Sequence, residues 1–223
     1  MKFILGSQIR EKLRPRGRLI ITLIFLVLCP KNGGRLTSIP ALIEGLSNKD
    51  ISVSCINIFG AIGKPAVPAL IKVLSNSTNE DARWCAAMAL NILREKSSVP
   101  ALIKLLKDKN AVVQSHAAMA LGKMKAKEAI PALMKAAKRL AGLTGSEAIE
   151  ALGEIGDKTV LPFLLEMLKK DNPNIKVEVA VALAKIGEVS AVPHLEALID
   201  DTNYQVRKTV KKSIELLRRP ARG

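Results

Sequence analysis

The sequence predicts an all-α fold, an α-solenoid of six stacked helix–turn–helix repeats. Three observations carry this. One short word recurs: "IPALI" at 39–43, "VPALI" at 67–71 and again at 99–103, and "IPALM" at 130–134. Its prolines belong to a longer series, Pro40, Pro68, Pro100, Pro131, Pro162 and Pro193, spaced 28, 32, 31, 31 and 31 residues apart. Self-similarity at such a period is the signature of a repeat array. The composition agrees: 48% hydrophobic and 25% charged residues with only 3% aromatics suit helices packed through small and branched aliphatic side chains.

Each repeat divides into two helices. The first opens on its proline, which is tolerated in a first turn because the missing N–H has no helical partner there. Leucines follow; in the third repeat Leu102, Ile103, Leu105 and Leu106 fall on one face. A polar turn comes next, such as "SNSTNED" at 75–81 or "KDKN" at 107–110. The second helix is longer: "ARWCAAMALNIL" at 82–93, "AVVQSHAAMALGKM" at 111–124, "EAIEALGEIG" at 147–156, "VEVAVALAKIG" at 177–187. Val113, Ala117, Ala120, Leu121 and Met124 form its predicted core face in the third repeat. A lone repeat cannot bury its apolar face, so neighbours must stack, and alanines in the second helices permit close approach. Three repeats also carry glycine at one equivalent late position, Gly60, Gly122 and Gly153.

A proline-anchored helix pair with "PALI" in the first helix and "AxxALGxIG" in the second resembles the short HEAT-like repeats first noted in phycobilin lyases. The resemblance spans residues 36–217. It implies second helices lining a concave face. It also implies an early arginine in each second helix that ties neighbouring repeats. Arg83 and Arg207 match, Lys176 stands in for a third, and Ser52, Gln114 and Gly145 depart, so that ladder is expected to be broken.

Function is then sought where the copies differ. Aligned at the period, the predicted solvent-facing columns of the second helices begin with Val53, Trp84, Ser115, Ser146, Val177 and Lys208. The next holds Ser54, Cys85, His116, Glu147, Glu178 and Thr209, and the third Asn57, Met88, Met119, Glu150, Val181 and Lys212. Trp84, Met88, His116 and Met119 suggest an apolar patch; Glu147, Glu150, Glu154 and Glu178 suggest an acidic one. Such a groove suits a partner helix or peptide with apolar anchors and basic side chains. Packing offers another reading, in which Trp84 and the methionines fill a repeat interface and the glutamates are a solvated face.

The net charge is +15, but it is concentrated at the ends. Residues 1–35 carry eight basic side chains against one acidic, residues 200–223 seven against three, and the 164 residues between carry 20 against 16. No obvious basic stripe along the body follows from this. Residues 1–35 read as a basic lead, then the apolar run "LIITLIFLVLC" at 19–29. That run is short for a membrane span. A cap helix on the first repeat and a membrane-associated or signal-like segment both fit it, and residues 218–223 form a basic tail. Three distant cysteines, Cys29, Cys55 and Cys85, make no CxxC pair and read as free thiols of a reducing compartment.

Catalysis finds no support in motifs. Deoxyhypusine hydroxylase, which this repeat type also resembles, holds iron through His-Glu pairs, whereas here His116 precedes Ala117 and His194 precedes Leu195. No phosphate loop or nucleophile elbow occurs, and neither histidine has a second ligand at metal spacing. The expectation is a non-enzymatic, cytoplasmic scaffold without metal or cofactor, binding a protein partner on its concave face. The alternatives are nucleic-acid or anionic-membrane binding through the basic termini, membrane contact or export through residues 19–29, and a subunit associated with a lyase or oxidoreductase.

Overall fold

The computed structural model describes residues 39–139 and 143–219. The expectations for residues 1–35, for Cys29 and for most of the C-terminal tail lie outside them. The chain divides into two compact units, residues 1–98 and 99–223. In the first, helix α1 (Ile39–Gly45) pairs with α2 (Ser52–Ile62), and α3 (Val67–Asn76) with α4 (Glu80–Leu93). In the second, the pairs are α5 (Val99–Leu105) with α6 (Ala111–Lys123), α7 (Ile130–Arg139) with α8 (Leu143–Ile155), α9 (Leu161–Leu168) with α10 (Pro173–Ile186), and α11 (Val192–Glu196) with α12 (Tyr204–Arg218). Six helix pairs with no strand among the described residues make the predicted α-solenoid.

Every proline of the series is the second residue of its first helix. A three-residue 3-10 turn leads into five of these helices, at Lys64–Ala66, Lys96–Ser98, Lys127–Ala129, Lys158–Val160 and Val189–Ala191. Asparagines start the second helices. Asn79 accepts from the Ala82 amide, Asn110 from Val112 and Val113, Asn172 from Asn174 and Ile175, and Asn203 from Gln205 and Val206. Each satisfies amides that the first turn leaves unpaired. These caps keep the 31-residue register, with Ala141 at the equivalent place of the fourth repeat.

Second helices do most of the stacking. In the second unit α6 packs on α8, α8 on α10, and α10 on α12, while the first helices touch mainly their own partners. Hence α6 is buried almost all round: Val113, Gln114, Ser115, Ala117, Ala118, Ala120, Leu121 and Gly122 are all inaccessible. Glycine is required where these helices meet. A Cβ on Gly122 would stand 2.7 Å from Ala151 Cα, and one on Gly153 would stand 2.8 Å from Ala182 Cα. On Gly60 it would meet only the flexible Ile92 Cγ2, at 3.2 Å.

The early arginines hold the turns that precede their helices. Arg83 Nη1 donates to the carbonyls of Ser77 and Thr78 at 3.0 and 3.1 Å, and Arg207 Nη1 to those of Asp201 and Thr202 at 2.7 and 2.8 Å. These bonds brace the turn of the residue's own repeat. Gln114, read as a departure, makes the same bond through Nε2 to the Asp108 carbonyl, but leaves its buried Oε1 without a donor. Lys176 does reach a neighbour, pairing with Asp201 at 2.7 Å. Neighbouring repeats are also tied at their 3-10 turns, by Lys64–Glu95 at 3.5 Å, Lys127–Asp157 at 3.0 Å and Lys158–Glu188 at 2.9 Å.

Candidate functional site

The second unit gathers most of the predicted site residues. Helix α8 carries Glu147, Glu150 and Glu154, at the three- and four-residue spacing that puts side chains on one face. Helix α10 brings Glu178 and Lys185 against that face, and α6 brings His116, Met119 and Lys123. Between α6 and α8 lies a pocket of about 140 Å³, walled by Met119, Lys123, Glu147, Glu150 and Glu154. Gly122 and Ala151 also line it, so one close approach of two second helices lies at the candidate site.

The glutamates are unequally compensated. Lys185 Nζ reaches Glu154 at 2.6 Å and Glu150 at 2.9 Å. The Lys185 hydrogen bond holds the Glu154 carboxyl below its ordinary range, with the Lys185 charge adding to the effect. Burial pulls the Lys185 ammonium down, but its bonds to Glu154 and Glu150 outweigh that and leave it raised. Glu147 and Glu178 lie above the ordinary carboxylate range. Burial is the first cause for both. Glu150 raises each further, and Glu147 also raises Glu178, while His116 and Lys123 relieve Glu147 and Lys185 relieves Glu178 in part. The result is a half-buried face whose four glutamates outnumber the three lysines, Lys123, Lys125 and Lys185, that act on them.

Two predicted column members do not face solvent. Cys85 is fully buried and Ser115 nearly so, because α4 and α6 bury two sides and leave a narrow exposed strip. Burial pushes the Cys55 and Cys85 thiols up to about 11, so both stay protonated at neutral pH. Trp84 and Met88 are half-buried on α4 of the first unit, and Trp84 Nε1 donates to Asp81 Oδ1 at 3.2 Å. Met119 and the glutamates belong to the second unit, as does His116, whose Nδ1 lies 2.9 Å from the Val112 carbonyl.

Lys185 was absent from the expected site, although it lies one 31-residue step beyond Glu154, itself one step beyond Lys123. Further along the same face the sign reverses: Lys185, Lys208 and Lys212 line a pocket of about 590 Å³ between α10 and α12. The body carries no basic stripe by sequence, but one basic cluster forms locally in the fold. Lys104, Lys107, Lys135 and Arg139 converge on one pocket between the first helices α5 and α7. Among the described residues no trio of histidine, cysteine, aspartate or glutamate is placed to hold a metal ion. No single described helix is long and apolar enough to cross a membrane.

Stacked helix pairs exposing variable second-helix faces define an α-solenoid repeat protein, a fold typical of protein-binding scaffolds. The family profile for HEAT repeats matches residues 67–141 and 144–215, well over half of the chain. The chain belongs to the HEAT repeat family. No curated protein matches it. Among solved structures it is similar to an engineered protein, at 24% identity and TM-score 0.53 over 89% of this chain and 96% of the other. It is similar to a designed armadillo repeat protein in complex with the peptide (KR)4, at 19% identity and TM-score 0.55 over 88% and 98%. The complex of CpcE and CpcF of phycocyanin lyase from Nostoc sp. PCC7120 aligns at 22% identity and TM-score 0.51 over 79% and 93%. At these identities the likeness concerns the fold.

Proposed function

We propose that the chain is a non-enzymatic scaffold whose second-helix face, between α6 and α10, holds a basic segment of a partner protein. One observation carries the reading: Glu147, Glu150, Glu154 and Glu178 share a face on which Glu147 and Glu178 are both raised by burial and by neighbouring glutamates. An incoming lysine or arginine relieves that repulsion, so complementarity of charge favours a cationic partner. Met119 supplies an apolar edge and His116 a polar one. Trp84 and Met88, four residues apart on α4, are assigned as apolar partner contacts of the first unit by itself. The designed armadillo protein that holds (KR)4 is consistent with this use of the fold. The basic end near Lys208 and Lys212 would prefer an acidic stretch further along the partner.

The test is a titration of the full chain against a fluorescein-labelled octapeptide of alternating lysine and arginine, read by anisotropy. Binding should weaken about tenfold or more in the Glu147→Gln/Glu150→Gln/Glu178→Gln protein and weaken steeply with salt. Equal affinity of the triple variant and the parent would overturn the reading. A Trp84→Ala/Met88→Ala protein should keep its helical signal and lose affinity for peptides that carry an apolar residue at one end. Loss of fold instead would assign both residues to the core. A preference for an oligonucleotide over the peptide, abolished by nuclease, would move the function to the basic termini.

A further inference from the structure

The pocket between α5 and α7 is unlike the rest of the first-helix layer. Lys104 and Lys107 stand on one side, Lys135 and Arg139 on the other, and no acidic side chain lines it. Its volume is about 380 Å³. Its floor is apolar: Ile103 and Leu106 face Pro131, Ala132 and Ala136. Short first helices touch each other little, which is why a groove opens here at all. Arg139 is held in place, since its Nη2 donates to the Leu106 carbonyl at 3.2 Å, leaving other N–H groups of the fork to offer. Among the described residues Lys104, Lys107 and Lys135 pair with no carboxylate.

The same register positions one repeat on are different. Glu166 occupies the place of Lys135 and takes a salt bridge from Lys138 at 3.3 Å, while Lys138 also sits 5.5 Å from the Phe163 ring centre. The cationic groove is therefore a local feature of the α5–α7 step and not a property of the repeat.

We infer that this groove binds an acidic peptide segment in which an apolar side chain is flanked by carboxylates. The cations on both rims complement carboxylates on either side of one anchor, and the floor takes the anchor itself. Single-stranded nucleic acid is a poorer match, because no aromatic ring lines the groove for a base to stack on. The acidic-peptide site is oppositely charged to the glutamate face of α8 and α10, so one chain would hold two partner segments of opposite sign.

The experiment uses the full chain and two labelled octapeptides, Glu-Glu-Leu-Glu-Glu-Leu-Glu-Glu and its counterpart with glycine at both leucines, at about 0.15 M salt. The leucine peptide should bind, and Lys104→Glu/Lys135→Glu should weaken it about tenfold or more with the helical signal intact. Lys169→Glu/Lys170→Glu, an equally basic exposed pair outside the pocket, should change affinity less than about twofold. Equal losses in both variants would reduce the effect to net charge and overturn the inference. Equal binding of the glycine peptide would overturn the role of the floor. An oligothymidylate that outcompetes the peptide and loses affinity in the same variant would reassign the groove to nucleic acid. Self-association removed by both Lys104→Glu/Lys135→Glu and Glu147→Gln/Glu150→Gln/Glu178→Gln would assign it to a second copy of this chain. Acidic-peptide binding should survive the glutamate variant, which separates this inference from the proposed function.

Discussion

Gly122→Ala adds one methyl group at the tightest approach of two second helices. The new Cβ would lie 2.7 Å from Ala151 Cα and 2.9 Å from Ala151 Cβ. Carbon atoms sit comfortably at about 3.5–4.0 Å, so α6 and α8 must part by roughly 1 Å at this point. The obstacle is a backbone atom and an alanine, which no rotamer change can move aside. A gap of that size forfeits about a quarter to a half of each affected contact, worth about 0.1–0.2 kcal/mol apiece; over tens of contacts the loss is about 2–3 kcal/mol. Alanine returns about 1 kcal/mol through helix propensity. The net expectation is a destabilisation of about 1–2 kcal/mol, within the usual cost of overpacking. Thermal unfolding followed by circular dichroism should show a drop of a few degrees. Gly60→Ala, whose Cβ meets only the Ile92 side chain at 3.2 Å, should be neutral or stabilising. If Gly122→Ala were stabilised like Gly60→Ala, the close approach of α6 and α8 would not exist and the pitch of the candidate site would be wrong.

Glu147 and Glu178 have raised folded-state pKa values, so their ionised forms work against the fold; Glu147→Gln or Glu178→Gln should stabilise the protein at neutral pH, with the advantage vanishing below the carboxylate range, where the native side chains are neutral in both states. A neutral-pH loss in denaturant titrations would contradict this. Asp157 is shifted the other way, to about 2, first by the Thr159 amide and hydroxyl and then by Lys127. Its stabilisation should be present above its ordinary value near 3.8 and be lost as pH falls through about 2, and Thr159→Val and Lys127→Ala should each raise its NMR midpoint. Gln114→Arg should restore the two-carbonyl brace that Arg83 and Arg207 make and relieve the unpartnered Oε1, raising stability by about 1–2 kcal/mol; an unchanged unfolding midpoint would mean the third turn does not match the second and sixth.

The architecture was legible because its devices recur. Prolines set the helix starts, and the leucine and alanine patterns set the buried faces. The asparagine caps at 79, 110, 172 and 203 were equally legible from the 31-residue step, and so was Lys185 from Glu154. What one helical wheel does not reveal is burial on two sides. A second helix packs against its own first helix and against a neighbouring second helix, so Cys85 and Ser115 are enclosed although each stands beside a half-buried position. Glycine at 122 and 153 was visible, but the Ala151 and Ala182 backbones it accommodates are 29 residues away and belong to tertiary geometry. The basic groove was hidden by counting charge along the chain. Lys104, Lys107, Lys135 and Arg139 are diluted in sequence by the glutamates of α8, and only the two-layer packing sorts the first helices from the second.

That sorting bears on why the glutamate face is a site and not an ordinary solvated surface. At the register of Glu147 and Glu178 the other repeats carry Ser54, Cys85, His116 and Thr209, and at the register of Glu150 they carry Asn57, Met88, Met119, Val181 and Lys212. The helix pair therefore forms with neutral, apolar or basic residues at these positions, and nothing in the repeat requires a carboxylate. The ionised Glu147 and Glu178 carboxylates work against the fold where they stand, because burial and neighbouring glutamates raise both. A solvated face would show paired or freely hydrated charges; here Lys185 pairs with Glu150 and Glu154, while Glu147 and Glu178 stay raised although His116, Lys123 and Lys185 relieve them in part. Charge that the fold does not need and neutralises only in part is what a cationic partner would complete, and the same partner would then raise the unfolding temperature of the parent more than that of Glu147→Gln/Glu150→Gln/Glu178→Gln.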